Sequence, residues 1–316
     1  MKFLPYTFAF LLWLLSYAGV AQVPTVTEKF TSRDTLRVHS LYADLSLLFM
    51  VSDDEMENYT DFHLQDRAHL RYVFGRSDVD LLFTQDIERD NDGALSYNNY
   101  LALSGGIGKY QSVGEGLVGF RRLYPEAIFI FQNNSYRGLA SRFQAGALLY
   151  PWTLHLSRFK LNIAVGGVYD WSKWRVNDEN KIAACSPEMQ EKIRFINSRI
   201  SLQGNMYQLH NEFRPVLVLD ARLLLNDVLQ LRLSTSYQQS LVSPYSREII
   251  DAYPELGKVY PYLLSRLEAN TRIFKSLSFQ TTLTVDYENN NLALYDSSWQ
   301  YSLMFGLSFH LHGRKL

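Results

Sequence analysis

From Trp299 to Leu311 the chain alternates without a break. Trp299, Tyr301, Leu303, Phe305, Leu307, Phe309 and Leu311 take the odd positions, with Gln300, Ser302, Met304, Gly306, Ser308 and His310 between them. Successive side chains of a strand point to opposite faces, so this is a strand with one apolar face and one small or polar face. Its length says what the apolar face meets. Strands of soluble sheets average ~5–6 residues, whereas a strand crossing a bilayer at a tilt needs ~9–11. The spacing therefore predicts a membrane strand.

The pattern recurs along the chain. Leu277, Phe279, Thr281, Leu283, Val285 and Tyr287 form one such face, and so do Leu229, Leu231, Leu233, Thr235 and Tyr237. Others are Leu217 to Leu225, Leu161 to Trp171, Leu41 to Phe49, Leu70 to Phe74 and Val79 to Phe83, with fainter candidates near 99–109, 127–133, 139–149 and 263–274. Short links with turn-forming residues (75–78, 226–228, 275–276) alternate with longer polar segments at 52–61, 88–96, 176–210, 242–260 and 289–298. Short turns at one rim and long loops at the other are the build of outer-membrane barrels. In lipid every backbone N–H and C=O needs a partner, so the sheet has to close. The expectation is an all-β fold: a closed antiparallel transmembrane β-barrel of about 12 strands.

The opposite faces carry Arg67, His69, Arg71, Asp80, Asp86, Asp220, Arg222, Arg232, Arg266, Glu268, Arg272 and Asp286. A dry core does not hold so many charges, but a hydrated or ion-paired lumen does. Apart from His69, these are the candidate lumen-lining residues. Asp80, Asp86, Arg222 and Arg232 would form either an ion-selective constriction or a plugging salt-bridge network, the second being favoured because arginines fill a barrel of this size. Trp171, Trp174 and Trp299 fall near the long-loop ends of strands and Tyr72, Tyr150 and Trp152 near the short-turn ends, as two aromatic belts would.

The N-terminus reads as an export signal: Lys2, an apolar run from Phe8 to Leu15, then Gly19-Val20-Ala21 before a cleavage ahead of Gln22. An uncleaved anchor is the alternative, but the run is short of the ~20 residues a spanning helix needs. The expected organisation is 1–21 signal peptide, 22–34 periplasmic segment and 35–316 barrel. Formal net charge is −1, which gives no reason to expect a nucleic-acid partner. Aromatics at 14% suit strands facing lipid. Cys185 is the single cysteine, so neither a disulfide framework nor a cysteine-based metal cluster can form.

Ala127 to Asn134 (an aromatic strand ending in Gln and Asn), Tyr136 to Arg142, the Ala/Gly-rich Gln144 to Ala147, Val168 to Trp174 and Phe213-Arg214-Pro215 follow an order that resembles the salt-induced outer-membrane protein family. That resemblance implies a small outer-membrane barrel without an assigned ligand or chemistry, and it carries no site residues. Gly306, Phe309 and Leu311 resemble the terminal outer-membrane assembly signal, although His312 to Leu316 extends past it. The partners implied are outer-membrane lipid and, through the last strand, the barrel-assembly machinery.

Chemistry is harder to find. The His residues are His39, His63, His69, His155, His210, His310 and His312, and none sits in a His-x-Ser arrangement near an Asn-Gly. His310 and His312 share a face but have no carboxylate or thiol nearby, which fits a solvated strand end better than a metal site. No enzyme, cofactor or metal is expected. The expected function is a structural or interaction barrel or a narrow channel in the outer membrane; a small-solute porin with a charged lumen is the alternative, and an outer-membrane hydrolase ranks below both. One helix is expected, from Pro187 to Ser201 in a long extracellular loop. Ser186 is its N-cap, and Met189, Ile193, Ile196 and Ile200 line one face, which should cover the barrel mouth. If the register is right, Phe305→Arg should cost ~2–4 kcal/mol near the midplane and Ser308→Arg less.

Overall fold

The computed structural model describes residues 40–54, 59–74, 77–89, 95–107, 125–135, 138–156, 158–204, 206–226, 228–259, 261–274, 276–288 and 299–314. The segments read as signal peptide and periplasmic N-terminus lie outside the described residues.

Strands β1 (Ser40–Asp54), β2 (Tyr59–Phe74), β3 (Ser77–Arg89), β4 (Leu95–Ile107), β5 (Pro125–Asn134), β6 (Leu139–His155) and β7 (Phe159–Arg175) pair in sequence order. The two-residue β8 (Leu202–Gln203) follows, then β9 (Tyr207–Leu224), β10 (Leu229–Gln239), β11 (Pro261–Arg272), β12 (Leu277–Glu288) and β13 (Trp299–Arg314). β8 only folds back on the start of β9, through Gly204 at φ 60°. β7 pairs directly with β9, β9 with β10, and β13 returns to β1. Every pairing is antiparallel and the ring closes with twelve strands, the thirteen of the sheet less β8. Among the described residues every strand of the twelve-membered ring has a neighbour on both sides, which is the condition for a β-structure in lipid.

The alternation seen in the sequence governs which side faces out. Leu303, Phe305 and Leu307 are exposed on the exterior of β13, while Met304, Gly306 and Ser308 between them are buried. Phe279 and Leu283 lie out on β12, with Ser278, Gln280 and Thr282 buried inside. Exposed apolar side chains continue around the ring through Leu47, Phe49, Leu70, Phe83, Leu101, Phe129, Phe143, Val165 and Leu217. Burying that girdle in hydrocarbon is what a transmembrane exterior does.

Strand ends differ from the sequence reading in physical detail. β1 and β2 stay paired out to Asp54↔Tyr59, and β3 and β4 out to Arg89↔Leu95, so the expected loops 52–61 and 88–96 shrink to 55–58 and 90–94. Polar strand residues continue the ladder, because backbone pairing does not need an apolar face. At the turn rim the segment 108–124 is the long exception and lies outside the described residues.

Two of the expected belt aromatics point inward. Trp174 is 4% exposed, since it shares the inward parity of Val168, Asp170 and Ser172. Tyr150 packs inside with Leu148, Ala164, Val168 and Val216. The register slips by one residue between Leu149 and Trp152, which leaves Trp152 on the exterior and Tyr150 inside. The same cluster shows that part of the lumen wall is apolar. Ser308 also departs: it is 2% exposed and receives a 3.0 Å hydrogen bond from Ser46, so an arginine there would be overpacked.

Candidate functional site: a charged lumen under a helical cap

The connection after β7 folds into α1 (Glu179–Ala184) and α2 (Pro187–Asn197). Ser186 caps α2 by accepting a hydrogen bond from the Met189 N–H at 3.3 Å, and Pro187 occupies the first turn. Its missing N–H costs nothing there. The helix ends at Asn197, a few residues before the expected Ser201, where Ser198 closes it by donating its N–H to Arg194 O. Ile193 and Ile196 are fully buried. Ile193 packs with Ile182, Cys185 and Met189, and Ile196 joins Leu139, Trp174 and Val176 from the strand ends. The expected apolar face is therefore covered in two parts: Met189 and Ile193 against α1, and Ile196 and Ile200 at the barrel mouth.

The other half of the cover comes from a segment the sequence did not mark as helical. After β10 come α3 (Arg247–Ala252) and a 3-10 turn (Pro254–Gly257). Ile249, Leu256 and Tyr245 from this segment complete the Ile196 cluster. Burial pushes the Tyr245 hydroxyl well above the usual phenol range. Two ion pairs tie the halves together on the outside: Lys192–Glu255 at 2.6 Å and Arg199–Glu248 at 2.7 Å. The hydrogen bond from Lys192 holds the Glu255 carboxyl below its ordinary value.

Beneath the cap lies a cluster absent from the expected lumen set. Arg142 on β6, 1% exposed, pairs with Asp170 on β7 at 3.1 Å and with Glu288 on β12. In the ring β6 and β12 are separated by β7, β9, β10 and β11, so the guanidinium bridges the lumen. It also lies 5.4 Å over the rings of both Trp174 and Tyr262. Arg214 contacts Asp170 at 3.5 Å, Glu288 at 3.6 Å and Glu212 at 2.5 Å. Gln144 donates to Asp170 at 2.7 Å and to Gln238 on β10 at 2.9 Å. Arg142 and Asp170 stood in the sequence as parts of a family-like motif. Alternation on β6, β7 and β12 was enough to turn Arg142, Asp170 and Glu288 inward, but their convergence needed the ring.

The expected lumen residues all fall on inward positions. Deeper in, Arg67 bridges to Glu268 from β2 to β11, and Gln65 donates to Asp86 at 2.5 Å. Arg266 stands beside Glu268 in sequence parity, with its Nε buried and without a hydrogen-bond partner. Nearer the turns, Asp220 accepts from Arg222 at 3.2 Å and from Arg232 at 3.0 Å. Arg71 reaches Asp78 at 2.8 Å and Asp80 at 3.6 Å, while His69 meets Asp80 at 3.0 Å. Asp286 is buried on β12, and Arg272 ends β11 at the turn rim. Ion pairs thus recur at successive levels of the lumen. The side chains of His310 and His312 lie outside the described residues.

No protein-family model matches the chain, and no curated protein sequence matches it. Solved structures that share its architecture are membrane barrels. The NanC porin has 8% identity over 84% of this chain and 98% of its own, at a TM-score of 0.44. The translocator domain of the autotransporter NalP from Neisseria meningitidis has 10% identity over 92% of each chain, at 0.40. The outer membrane phospholipase A from Escherichia coli has 12% identity over 92% of this chain and 98% of its own, at 0.38. The fold defines the class: a twelve-stranded outer-membrane β-barrel, here with a capped and ion-paired interior.

Proposed function

We propose that this protein is a sealed outer-membrane barrel whose resting state does not conduct and whose helical cap is its working surface toward an extracellular partner. The observation that carries this reading is Arg142, which ties Asp170 and Glu288 together across the lumen directly under the apolar cap. A guanidinium held by two carboxylates in a dry setting is costly to move, since breaking such a pair leaves an uncompensated buried charge. Export through a signal peptide spanning 1–21, insertion by the assembly machinery through β13 and residence in the outer membrane belong to the same reading. So does kinship with the salt-induced outer-membrane protein family. Nothing in it requires catalysis or a cofactor.

Planar-bilayer recording of the heat-modifiable, folded protein tests the seal. The expected result is no steady conductance. A discrete conductance shifted by charge reversal at Arg222 or Arg232 would replace this reading by the small-solute porin, which the partial exposure of the Arg222 side chain toward the turn rim favours.

A further inference from the structure

Arg67, Arg71, Arg222 and Arg232 each reach a carboxylate in the lumen, and Arg266 does not. Among the described residues its guanidinium makes no ion pair, and its Nε is buried without a hydrogen-bond partner. The carboxylates that interact with it electrostatically, Glu268 and Asp86, are engaged elsewhere. Glu268 pairs with Arg67, and Asp86 accepts from Gln65 at 2.5 Å and from Asn98 at 3.4 Å. A cation held in a barrel interior without a partner of its own is costly.

The groups around Arg266 share its excess. Glu268 interacts electrostatically with Arg67, Arg232 and Arg266, and Asp220 does so with Arg222 and Arg232. Four guanidiniums from β2, β9, β10 and β11 thus gather about two carboxylates. Arg222 donates through Nη2 to Asp220 at 3.2 Å, while its Nε is buried without an acceptor. Thr284 stands directly opposite Arg266 on β12, and its buried Oγ1 has no partner either. Ser234 stands opposite Arg266 on β10. Exposure shows which end of the lumen leads here. It falls from 34% and 25% at the Arg222 and Arg232 side chains to 12% at Arg67 and 1% at Arg142. Water therefore reaches the cluster from the turn rim, and the cap side is closed.

We propose that Arg266, with Arg67, Arg222, Arg232 and the Thr284 hydroxyl, binds a small phosphate-like dianion that enters from the turn rim. A phosphate group carries roughly −1.5 to −2 charges at neutral pH and offers several strong acceptor oxygens. That matches two cations in excess and three donors without acceptors, and hydrogen bonds to ionised partners are the strong ones. The site stands apart from the cap and does not depend on the seal beneath it.

Calorimetric titration of the folded protein in detergent with inorganic phosphate tests the site, alongside urea unfolding in phosphate and in chloride at matched ionic strength. Wild type should bind saturably and unfold later in phosphate. Arg266→Met should raise the dissociation constant roughly tenfold to a hundredfold. Because it removes a charge without an ion pair, it should unfold no earlier than wild type in chloride. Thr284→Val should weaken binding several-fold, and Arg272→Met, at the turn end of β11, should bind as wild type does. In a Cys185→Ser background, Ser234→Cys should react with a small anionic thiol reagent, and phosphate should slow that reaction. A wild type that responds alike to phosphate and chloride overturns the proposal, as does unchanged binding in Arg266→Met. An equal loss in Arg272→Met also overturns it, because it would mean diffuse attraction to lumen charge.

Discussion

Arg142 compensates two carboxylates that reach it from different strands, and its side chain is only 1% exposed. Arg142→Met should therefore lower stability by ~3–5 kcal/mol, because Asp170 and Glu288 would remain buried with only the longer contacts to Arg214. The measurement is the urea midpoint of unfolding in detergent. The triple apolar replacement of Arg142, Asp170 and Glu288 should recover most of the loss, which a purely steric effect of the arginine would not predict. On the lipid side, Phe305→Arg is expected to cost ~2–4 kcal/mol near the midplane. The fitting inward control is Ser302, half-buried, in place of the packed Ser308. Equal losses at 302 and 305 would contradict the register. Among single residues, the alternation in the sequence correctly assigned the outward and inward faces of β12 and β13. It misplaced Trp174 and Tyr150 for two reasons: aromatic side chains serve belts and interiors alike, and a one-residue slip near Pro151 reverses parity without any mark in composition.

The cap is an element built from two loops distant in sequence. Its first half was legible because Ser186, Pro187 and the isoleucine spacing satisfy cap and period together. Its second half was not, because α3 is too short for a helical period to emerge and its burial depends on the first half. The same limit applies to the cluster beneath: polar residues on β6, β7, β9 and β12 become one site only when the ring closes. Replacing Ile193 and Ile196 by Ser should open segment 176–206 to protease, with cleavage at least several-fold faster than in the wild type. Unchanged protection would mean that the strand ends, not the isoleucines, hold the cap. Acid should loosen the outer tie as well. The Glu255 carboxyl is lowered in the folded state, so its contribution is present above the ordinary carboxylate value and disappears as pH falls through the shifted one. Both partners reach solvent and the tie is weak, so proteolysis of the cap should rise modestly as pH falls below the ordinary carboxylate range, and Glu255→Gln should remove that pH dependence.

At the scale of the whole molecule, the interior and the exterior follow different rules. Outside, exposed apolar side chains girdle the ring; inside, ion pairs recur from Glu288 down to Asp220. The ring itself is completed by the pairing of β1 with β13, where Gly306 lies so close to its neighbour that a Cβ would stand 1.9 Å from the Leu47 carbonyl oxygen. Gly306→Ala should therefore weaken this pairing and reduce the heat-modifiable fraction after refolding, while leaving the exterior faces of β2 to β12 unchanged.

That junction also sets the order of events during folding. Ser46 and Ser308, hydrogen-bonded across it, are 262 residues apart in the chain, whereas the hairpins elsewhere join near neighbours. Loop-closure entropy is lost in full before such a distant pair gains anything, so hairpins form early and the final zipper forms last. Until then two unpaired strand edges face the surroundings, each a template for another chain. The slowest and most aggregation-exposed interval in the life of this protein is thus the wait for its two ends to meet.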